Sequence, residues 1–412
     1  MSGGRKKRVL FAVCGEGFGH VKSCLRIMEL LSADHEVKAL CWGKPLQYLK
    51  ELGFDAVETF PDYETTFSRE TVDLRKTLSV KAFLARTRKA LQAEERIVRE
   101  FRPDVIFSDS KISIVMVAQR HGIPCVVMCN QTSLHKKLPV SLSKLFVAPF
   151  IVVSFSIFSK FPALKKILIR DVPPPNDLSE GEVERRPWGK KLEYIGFTVP
   201  WVKARHKKAR GRVVLCGLSG TGVGGSLLRE IQRVANQSNY KFRVLGVGER
   251  KGVKSAKNFE VLPFVDERGL QREFENADVY LGLAGHTSIT NALSLGVPVV
   301  TAYPRNHLEQ MLNSLNCERQ GVGLSLGSEP STQAIKDALD SVFSSNEFFE
   351  NAKRYQRLCE KHNGTLKAVK VVKGILNAGK GGPWHRKIKA IRVLRKKLRV
   401  PRFLKRAALA GK

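Results

Sequence analysis

Residues 277–288 read ADVYLGLAGHTS, and a glycine–proline turn, LGVP, follows at 295–298. The apolar run ends at Gly285, which predicts the end of a buried strand. The hydroxyl and N–H groups of Thr287 and Ser288 then open a predicted helix, and a helix N-terminus of this kind is an anion-binding site. The segment is too polar to serve only as a turn in a core.

A second polar cluster follows the next predicted strand, which ends near Pro304. Glu309 and Gln310 lie at the start of the helix after it, and their side chains can accept and donate hydrogen bonds to sugar hydroxyls. This part of the chain therefore predicts a ligand site at the ends of two neighbouring strands, where α/β proteins bind their ligands.

The same strand–turn–helix order extends outward along the chain in both directions. Short apolar, β-branched runs alternate with helical patterns, which predicts parallel sheets buried on both faces and an α/β, doubly wound fold. The predicted strands lie at 9–14, 36–41, 103–109, 124–129, 150–155, 212–216, 242–246, 259–264, 278–283 and 297–302.

The series of runs is interrupted between residues 171 and 211, where prolines and charged residues dominate. We interpret this interval as the connection between two Rossmann-like domains of similar size, with a cleft between them. The predicted division is an N-terminal domain (8–170), the connection (171–211), a C-terminal domain (212–375) and a basic tail (376–412).

A glycine loop follows the first predicted strand, with glycines at 15, 17 and 19 and a histidine at 20. It is not the dinucleotide fingerprint, because His20 stands where that motif requires glycine or alanine. A histidine at such a junction faces the cleft, and its ordinary pKa suits a general base near neutrality. The alternative is a structural turn without a catalytic role.

A second glycine loop, GLSGTGVGGS at 217–226, lies between another predicted strand and helix. Its free N–H groups and hydroxyls can bind phosphate oxygens. The loop lacks the Gly-Lys-Ser/Thr sequence of a Walker motif, and a flexible surface hairpin is the alternative.

The segment 277–323 resembles the donor-binding half of GT-B glycosyltransferases, especially family 28 and the wider UDP-glycosyltransferase superfamily. That family includes the enzyme that adds N-acetylglucosamine to the lipid-linked peptidoglycan precursor. The resemblance extends over about 8–375, and the loop that ends at His20 is similar to the family's glycine-rich loop. It implies a GT-B fold, with two Rossmann-like domains that face a central cleft. The N-terminal domain (8–170) is then expected to bind the acceptor and the C-terminal domain (212–375) the nucleotide-sugar.

The resemblance also implies roles for individual residues. His20 is the expected general base on the acceptor hydroxyl, and Asp109 is the expected acid partner that orients it. The glycine loop is expected to contact phosphate or acceptor through Gly15, Gly17 and Gly19. The remaining positions are expected to bind the donor, and they are Ser219, Gly220, Thr221, Phe264, Val265, Gly285, His286, Thr287, Ser288, Asn291, Glu309 and Gln310.

The chain departs from the family pattern at two positions. Asn291 stands where the family usually has a ribose-binding glutamate, and Ser23 stands where related prokaryotic members often have arginine. No Asp-x-Asp motif occurs in the sequence. We therefore expect an inverting transfer of a hexosyl or N-acetylhexosaminyl group from a nucleotide-sugar, with UDP as the expected nucleotide. The transfer is expected to require neither a metal ion nor another cofactor.

The net charge of +33 is typical of a protein with a polyanionic partner, and the position of the charged residues along the chain indicates which kind of polyanion that partner is. Residues 361–412 hold 17 Lys and Arg and no acidic residue, so about half of the net charge lies in one terminal segment. Within 384–404 the apolar residues Trp384, Ile388, Ile391, Leu394 and Leu398 recur on one helical face. That pattern is typical of a helix at an anionic membrane surface, whereas a solvated tail or a nucleic-acid arm is the alternative.

The tail and the resemblance together imply a protein at the inner face of the cell membrane, with a lipid or lipid-linked acceptor and no nucleic-acid partner, and the following features predict a cytoplasmic location. The eight cysteines form no Cys-x-x-Cys pair, and the N-terminal apolar run is too short for a signal peptide. Two other functions stay open at this point: a nucleotide-sugar 2-epimerase of the same fold, and a non-enzymatic basic protein on an inactive scaffold.

Overall fold

The computed structural model of the protein describes residues 5–77, 79–132, 157–179, 183, 188–201, 211–218, 223–246, 256–263 and 265–378. In these residues the chain forms two parallel β-sheets with helices on both faces, together with a short antiparallel hairpin. The predicted α/β, doubly wound architecture is confirmed. The proposed membrane helix at 384–404 lies outside the described residues.

The first half contains a seven-stranded parallel sheet with the order β3-β2-β1-β6-β7-β8-β9, while β4 and β5 form the hairpin. Its strands are β1 (Arg8–Val13), β2 (Glu36–Cys41), β3 (Ala56–Glu58), β4 (Phe67–Ser68), β5 (Thr71–Val72), β6 (Val105–Asp109), β7 (Cys125–Cys129), β8 (Leu164–Ile169) and β9 (Leu192–Tyr194). Its helices are α1 (Phe18–Ser32), α2 (Gly43–Glu51), α3 (Leu74–Thr77), α4 (Val80–Phe101) and α5 (Ser113–His121).

The second half contains a six-stranded parallel sheet with the order β12-β11-β10-β13-β14-β15. Its strands are β10 (Val213–Gly217), β11 (Lys241–Leu245), β12 (Phe259–Val261), β13 (Val279–Leu283), β14 (Val299–Ala302) and β15 (Gly323–Ser325). The helices that follow are α6 (Gly225–Asn236), α7 (Glu267–Asn276), α8 (His286–Ser294), α9 (Leu308–Arg319), α10 (Thr332–Ser344), α11 (Asn346–Lys361) and α12 (Gly364–Asn377).

The first strand of each half lies inside its sheet and contributes side chains to cores on both faces. In β1, Phe11 packs in the core that contains α1, and Leu10 packs in the opposite core with α4 and α5. In β10, Val214 packs in the core on one face of the second sheet, and Leu215 packs in the core on the opposite face. A strand that is covered on both faces has no polar side, which explains why the runs in the sequence are continuously apolar.

The structure differs from the predicted domain division at the end of the second half. Helix α12, which the division assigns largely to residues 212–375, packs instead against the first sheet through Ala368, Val372 and Leu376. The chain returns to the first half at a point where the backbones of Gly364 and Gly196 are in close contact. A Cβ at residue 364 would lie 2.3 Å from the carbonyl oxygen of Gly196, so glycine permits this contact. Burial of the apolar face of α12 on the first half explains its position.

The predicted connection also contains sheet structure, since β9 extends the first sheet by pairing with β8. The apolar pattern does not predict β8, because Lys165 and Lys166 interrupt its run. The predicted strand at 150–155 lies outside the described residues. None of the described helices is both long enough and apolar enough to span a bilayer.

Candidate active site

A tight loop joins β1 to α1 and contains the glycines that the sequence singles out. Gly17 precedes α1 with φ 74°, a conformation that L-residues rarely adopt. Gly15 lies against Trp42, and a Cβ at Gly15 would stand 2.5 Å from the Trp42 carbonyl oxygen. A Cβ at Gly19 would lie 3.0 Å from the hydroxyl oxygen of Thr287 in the second half. The backbone therefore requires glycine at 15 and 17, and Gly19 allows the two halves to approach.

His20 and Asp109 form a hydrogen-bonded pair at the carboxyl edge of the first sheet. Because β1 and β6 are neighbours and Val13 lies opposite Asp109, the end of β6 lies beside the glycine loop. Nδ1 of His20 is 2.8 Å from Oδ2 of Asp109. The carboxylate is fully buried, whereas 20% of the histidine side chain is exposed. Since Nδ1 is engaged, Nε2 is the ring nitrogen that remains for proton exchange with a substrate.

The surroundings of the pair favour a charged histidine and a charged aspartate. Burial acts to lower the pKa of His20, but Cys14 and Asp109 together raise that pKa well above its ordinary value. Burial acts to raise the pKa of Asp109, but the neighbouring charges of His20 and Arg170 hold it below its ordinary value. The neutral imidazole, which is the base form of His20, therefore becomes available as pH rises through this raised pKa.

Two residues that the sequence did not single out extend this polar cluster toward the second half. Arg170 lies directly after β8 and is buried; its Nη2 is 4.0 Å from Oδ1 of Asp109. Asn130 lies directly after β7; its Oδ1 accepts a hydrogen bond from Nε of Arg170 at 2.9 Å. Asn130 also donates through Nδ2 to Oε1 of Glu309 at 2.9 Å. Their positions at strand ends are the signal by which the sequence could identify them, although the apolar pattern does not predict β8 itself.

The first turn of α8 lies against the glycine loop of the first half. The hydroxyl of Thr287 donates to the carbonyl oxygen of Gly19 at 3.2 Å and lies 3.3 Å from the hydroxyl of Ser23. A Cβ on Gly285 would meet no atom within 4 Å, so the turn is open at that residue. Ser288 is partly exposed on the same turn. The predicted diphosphate turn therefore lies next to the histidine loop, and the Thr287 hydroxyl contacts that loop.

Two other predicted donor residues of α8 are buried. His286 is 8% exposed and Asn291 is 3% exposed. Burial, followed by the nearby charges of Arg170 and His20, lowers the pKa of His286 to about 3, so its ring is neutral. Among the described residues, His286 Nε2 and Asn291 Oδ1 have no hydrogen-bond partner. In this conformation neither side chain offers an open surface to a ribose or a diphosphate.

The start of α9 brings the predicted sugar-binding residues to the cleft. The ring of His307 caps this helix, accepting from the backbone N–H of Gln310 at 3.3 Å. Glu309 reaches across to Asn130 in the first half. Oε1 of Gln310 has no hydrogen-bond partner in the described part of the chain. The structure therefore brings Glu309 and Gln310 to the same cleft as the His20–Asp109 pair.

Some predicted donor residues cannot be located. Ser219, Gly220, Thr221 and Phe264 lie outside the described residues, and Val265 packs partly buried against the core of the second half. No group of three or more His, Cys, Asp or Glu side chains suited to a metal ion occurs within the described ranges.

Several contacts join the two halves around this cleft. The hydroxyl of Tyr48 donates to the carboxylate of Glu267 at 2.9 Å. The N–H of Val72 in the hairpin donates to the carbonyl oxygen of Arg305 at 3.0 Å. The His20–Asp109 pair, the α8 turn and the start of α9 thus form one interdomain site.

Comparison with protein families places both halves of the chain among glycosyltransferases. Residues 7–171 match the model for Glycosyl transferase family 1, and residues 229–369 match the model for the Glycosyltransferase family 28 C-terminal domain.

Whole-chain comparisons agree. An uncharacterized glycosyltransferase of Methanosarcina acetivorans is 25% identical over 389 residues, which cover 90% of this chain and 97% of the relative. The UDP-N-acetylglucosamine--N-acetylmuramyl-(pentapeptide) pyrophosphoryl-undecaprenol N-acetylglucosamine transferase of Leuconostoc citreum is 24% identical over 319 residues, 71% of this chain and 77% of that protein. The crystal structure of CalG4, the calicheamicin glycosyltransferase, superposes with a TM-score of 0.68 at 15% identity, covering 91% of this chain and 99% of that one.

Proposed function

Because the chain is a GT-B glycosyltransferase of the family 28 type, we propose that it transfers a hexosyl or N-acetylhexosaminyl group from a UDP-sugar to a lipid or lipid-linked acceptor. The observation that carries this proposal is the His20–Asp109 pair, which lies in the cleft opposite Glu309 and Gln310. The name of the Leuconostoc relative contains a UDP-sugar and an undecaprenol-linked substrate, and it supports the proposed donor and acceptor. The alternatives of a 2-epimerase and a non-enzymatic protein are set aside, since both halves match glycosyltransferase families.

In the proposed reaction the acceptor hydroxyl lies against Nε2 of His20 and the donor lies along the second half. The hydroxyl oxygen forms a bond to the anomeric carbon while the bond from that carbon to the diphosphate oxygen breaks, which inverts the configuration. His20 takes the hydroxyl proton, and the buried Asp109 stabilises the imidazolium that results. Backbone N–H groups at the start of α8 stabilise the charge of the departing diphosphate, so the step needs no metal ion.

Donor selection is tested by thermal unfolding of the full chain with a panel of nucleoside diphosphates and nucleotide-sugars. We expect UDP and UDP-sugars to raise the unfolding temperature, because a ligand at 100 times its Kd stabilises the folded state by about 2.7 kcal/mol. Each stabilising nucleotide-sugar is then incubated with lipid extract, and the released UDP and glycosylated lipid are measured. Stabilisation by another nucleotide alone would contradict the UDP assignment, and the absence of transfer from every stabilising sugar would contradict the reaction.

Membrane attachment through residues 384–404 is proposed from their sequence pattern. We expect the full chain to float with vesicles that contain an anionic lipid, and a chain shortened to residues 1–376 to lose this binding, because the removed segment carries the basic residues and the apolar repeat of the predicted helix. Binding to neutral vesicles serves as the control for charge. Equal flotation of the full and shortened chains would contradict the assignment of the tail.

A further inference from the structure

Arg170 is a buried cation behind the proposed general base. Its side chain is 2% exposed, and burial of a charge is costly unless opposite charges and hydrogen bonds compensate it. The compensation comes from Asp109, whose Oδ1 lies 4.0 Å from Nη2, and from Asn130, whose Oδ1 accepts from Nε at 2.9 Å. In the described part of the chain, Nη1 of Arg170 has no hydrogen-bond partner.

Asn130 transmits this arrangement to the other side of the cleft. Its amide oxygen accepts from Arg170, and its amide nitrogen donates to Glu309, so the two partners together fix the orientation of the amide. Glu309 belongs to α9 of the second half. A continuous polar chain therefore runs from His20 through Asp109, Arg170 and Asn130 to Glu309.

We propose that Arg170 is a positioning residue of the transfer reaction, which holds Asp109 behind His20 and, through Asn130, holds Glu309 toward the donor sugar. The inference rests on the proposed function, in which His20 is the base and Glu309 binds the sugar. Arg170 contacts neither the acceptor nor the donor in this scheme. It links the acceptor side of the cleft to the donor side through side chains that follow three different strands.

The charge of Arg170 has a measurable electrostatic consequence. A positive charge near His20 opposes protonation of the imidazole, whereas the negative charge of Asp109 favours it. Removal of the Arg170 charge is therefore expected to raise the pKa of His20, and removal of the Asp109 charge is expected to lower it. The other titratable groups around the pair stay in place in both variants; they include Cys14, Glu16, Cys24, Cys41, Tyr63, Cys129, His286 and Glu309.

The test is an NMR titration of the His20 ring in the full chain, with its signal assigned by its loss in H20Q. We expect R170Q to raise the pKa of His20 and D109N to lower it. R170K keeps the charge and is expected to leave the pKa near the native value. An unchanged pKa in R170Q, or a shift in the direction of D109N, would overturn the electrostatic role.

The link to Glu309 is tested by kinetics on R170K and N130A, whose folding is checked by thermal unfolding. Both variants break the connection from Arg170 to Glu309, so we expect the KM for the nucleotide-sugar to rise about tenfold, with the acidic limb of the pH–rate profile unmoved in R170K. A KM that stays native in both variants would overturn the link. Should the native chain transfer no sugar at all, the proposed function would fail, while the NMR titration would still decide the role of the Arg170 charge.

Discussion

Replacement of His20 by alanine is expected to lower kcat for sugar transfer by about 100- to 10,000-fold, the usual contribution of a positioned general base. Without the imidazole, the acceptor hydroxyl must lose its proton to water while it attacks the anomeric carbon. Nucleotide binding is expected to stay near the native level, because His20 belongs to the first half and the proposed nucleotide contacts lie in the second. The loss should therefore appear in kcat and leave the Kd for UDP unchanged.

The measurement is transfer from the UDP-sugar at saturating donor, combined with UDP binding by calorimetry. His121 provides a matched control, because its Nε2 lies 2.9 Å from Oε2 of Glu95 and its side chain is 23% exposed, much like His20 beside Asp109. H121A removes a comparable histidine–carboxylate pair from α5 of the same half and is expected to keep native kcat. Native kcat in H20A would exclude His20 as the base.

The pH profile provides a separate check on the same residue. The raised pKa of His20 means that the base form is scarce at low pH and grows as pH rises through that pKa. We therefore attribute the acidic limb of kcat/KM to His20, and this limb should lie above the ordinary pKa of histidine, near 6.5.

Much of the fold follows from apolar runs, and the exceptions have physical causes. The central strands β1, β6, β10 and β13 are covered on both faces, so their sequences carry an uninterrupted signal. Strand β8 contains two lysines that are partly exposed, so the pattern is broken. The return of α12 to the first sheet depends on tertiary contact with Gly196, which no local pattern reports.

The sequence predicts the site residues that lie at the ends of apolar runs, and it predicts less well those whose surroundings depend on three-dimensional packing. His20 and Asp109 each follow or end an apolar run, and the order of the sheet brings them together. Arg170 follows β8, which the apolar pattern does not predict. Asn291 is assigned to the ribose by the resemblance alone, and burial of that face of α8 becomes apparent only in the structure.

A second buried charge cluster supports the loop that carries His20. Nζ of Lys111 lies 2.9 Å from Oε1 of Glu94 and 3.2 Å from Oδ1 of Asp62, and it donates to the carbonyl oxygen of Phe60 at 2.7 Å. The same Nζ lies 5.1 Å from the centre of the Trp42 ring, and Trp42 packs under Gly15. Lysine and both carboxylates are at most 1% exposed, so the cluster is held together without solvent.

Replacement of Lys111 by methionine is expected to lower the free energy of unfolding by about 3–5 kcal/mol, because it leaves two buried carboxylates without their cation. Methionine has a similar volume, so loss of packing contributes little. The measurement is urea unfolding at neutral pH, with the slope checked against that of the native chain. Lys166 provides the control: its Nζ lies 2.8 Å from Oε2 of Glu193 with both side chains partly exposed, and K166M is expected to cost at most about 1 kcal/mol.

The pH dependence separates loss of charge from loss of packing in K111M. Burial already raises the pKa of Glu94 to about 7 despite the Lys111 charge, and removal of that charge raises the pKa of Glu94 further. Carboxyl groups whose folded pKa exceeds the unfolded value destabilise the fold increasingly as pH rises between those two values. The difference in unfolding free energy between native chain and K111M should therefore be smallest below about pH 7, where Glu94 is protonated in both proteins, and should grow between about pH 7 and about pH 9. A difference that is constant over this range would show that Lys111 stabilises the loop by packing alone.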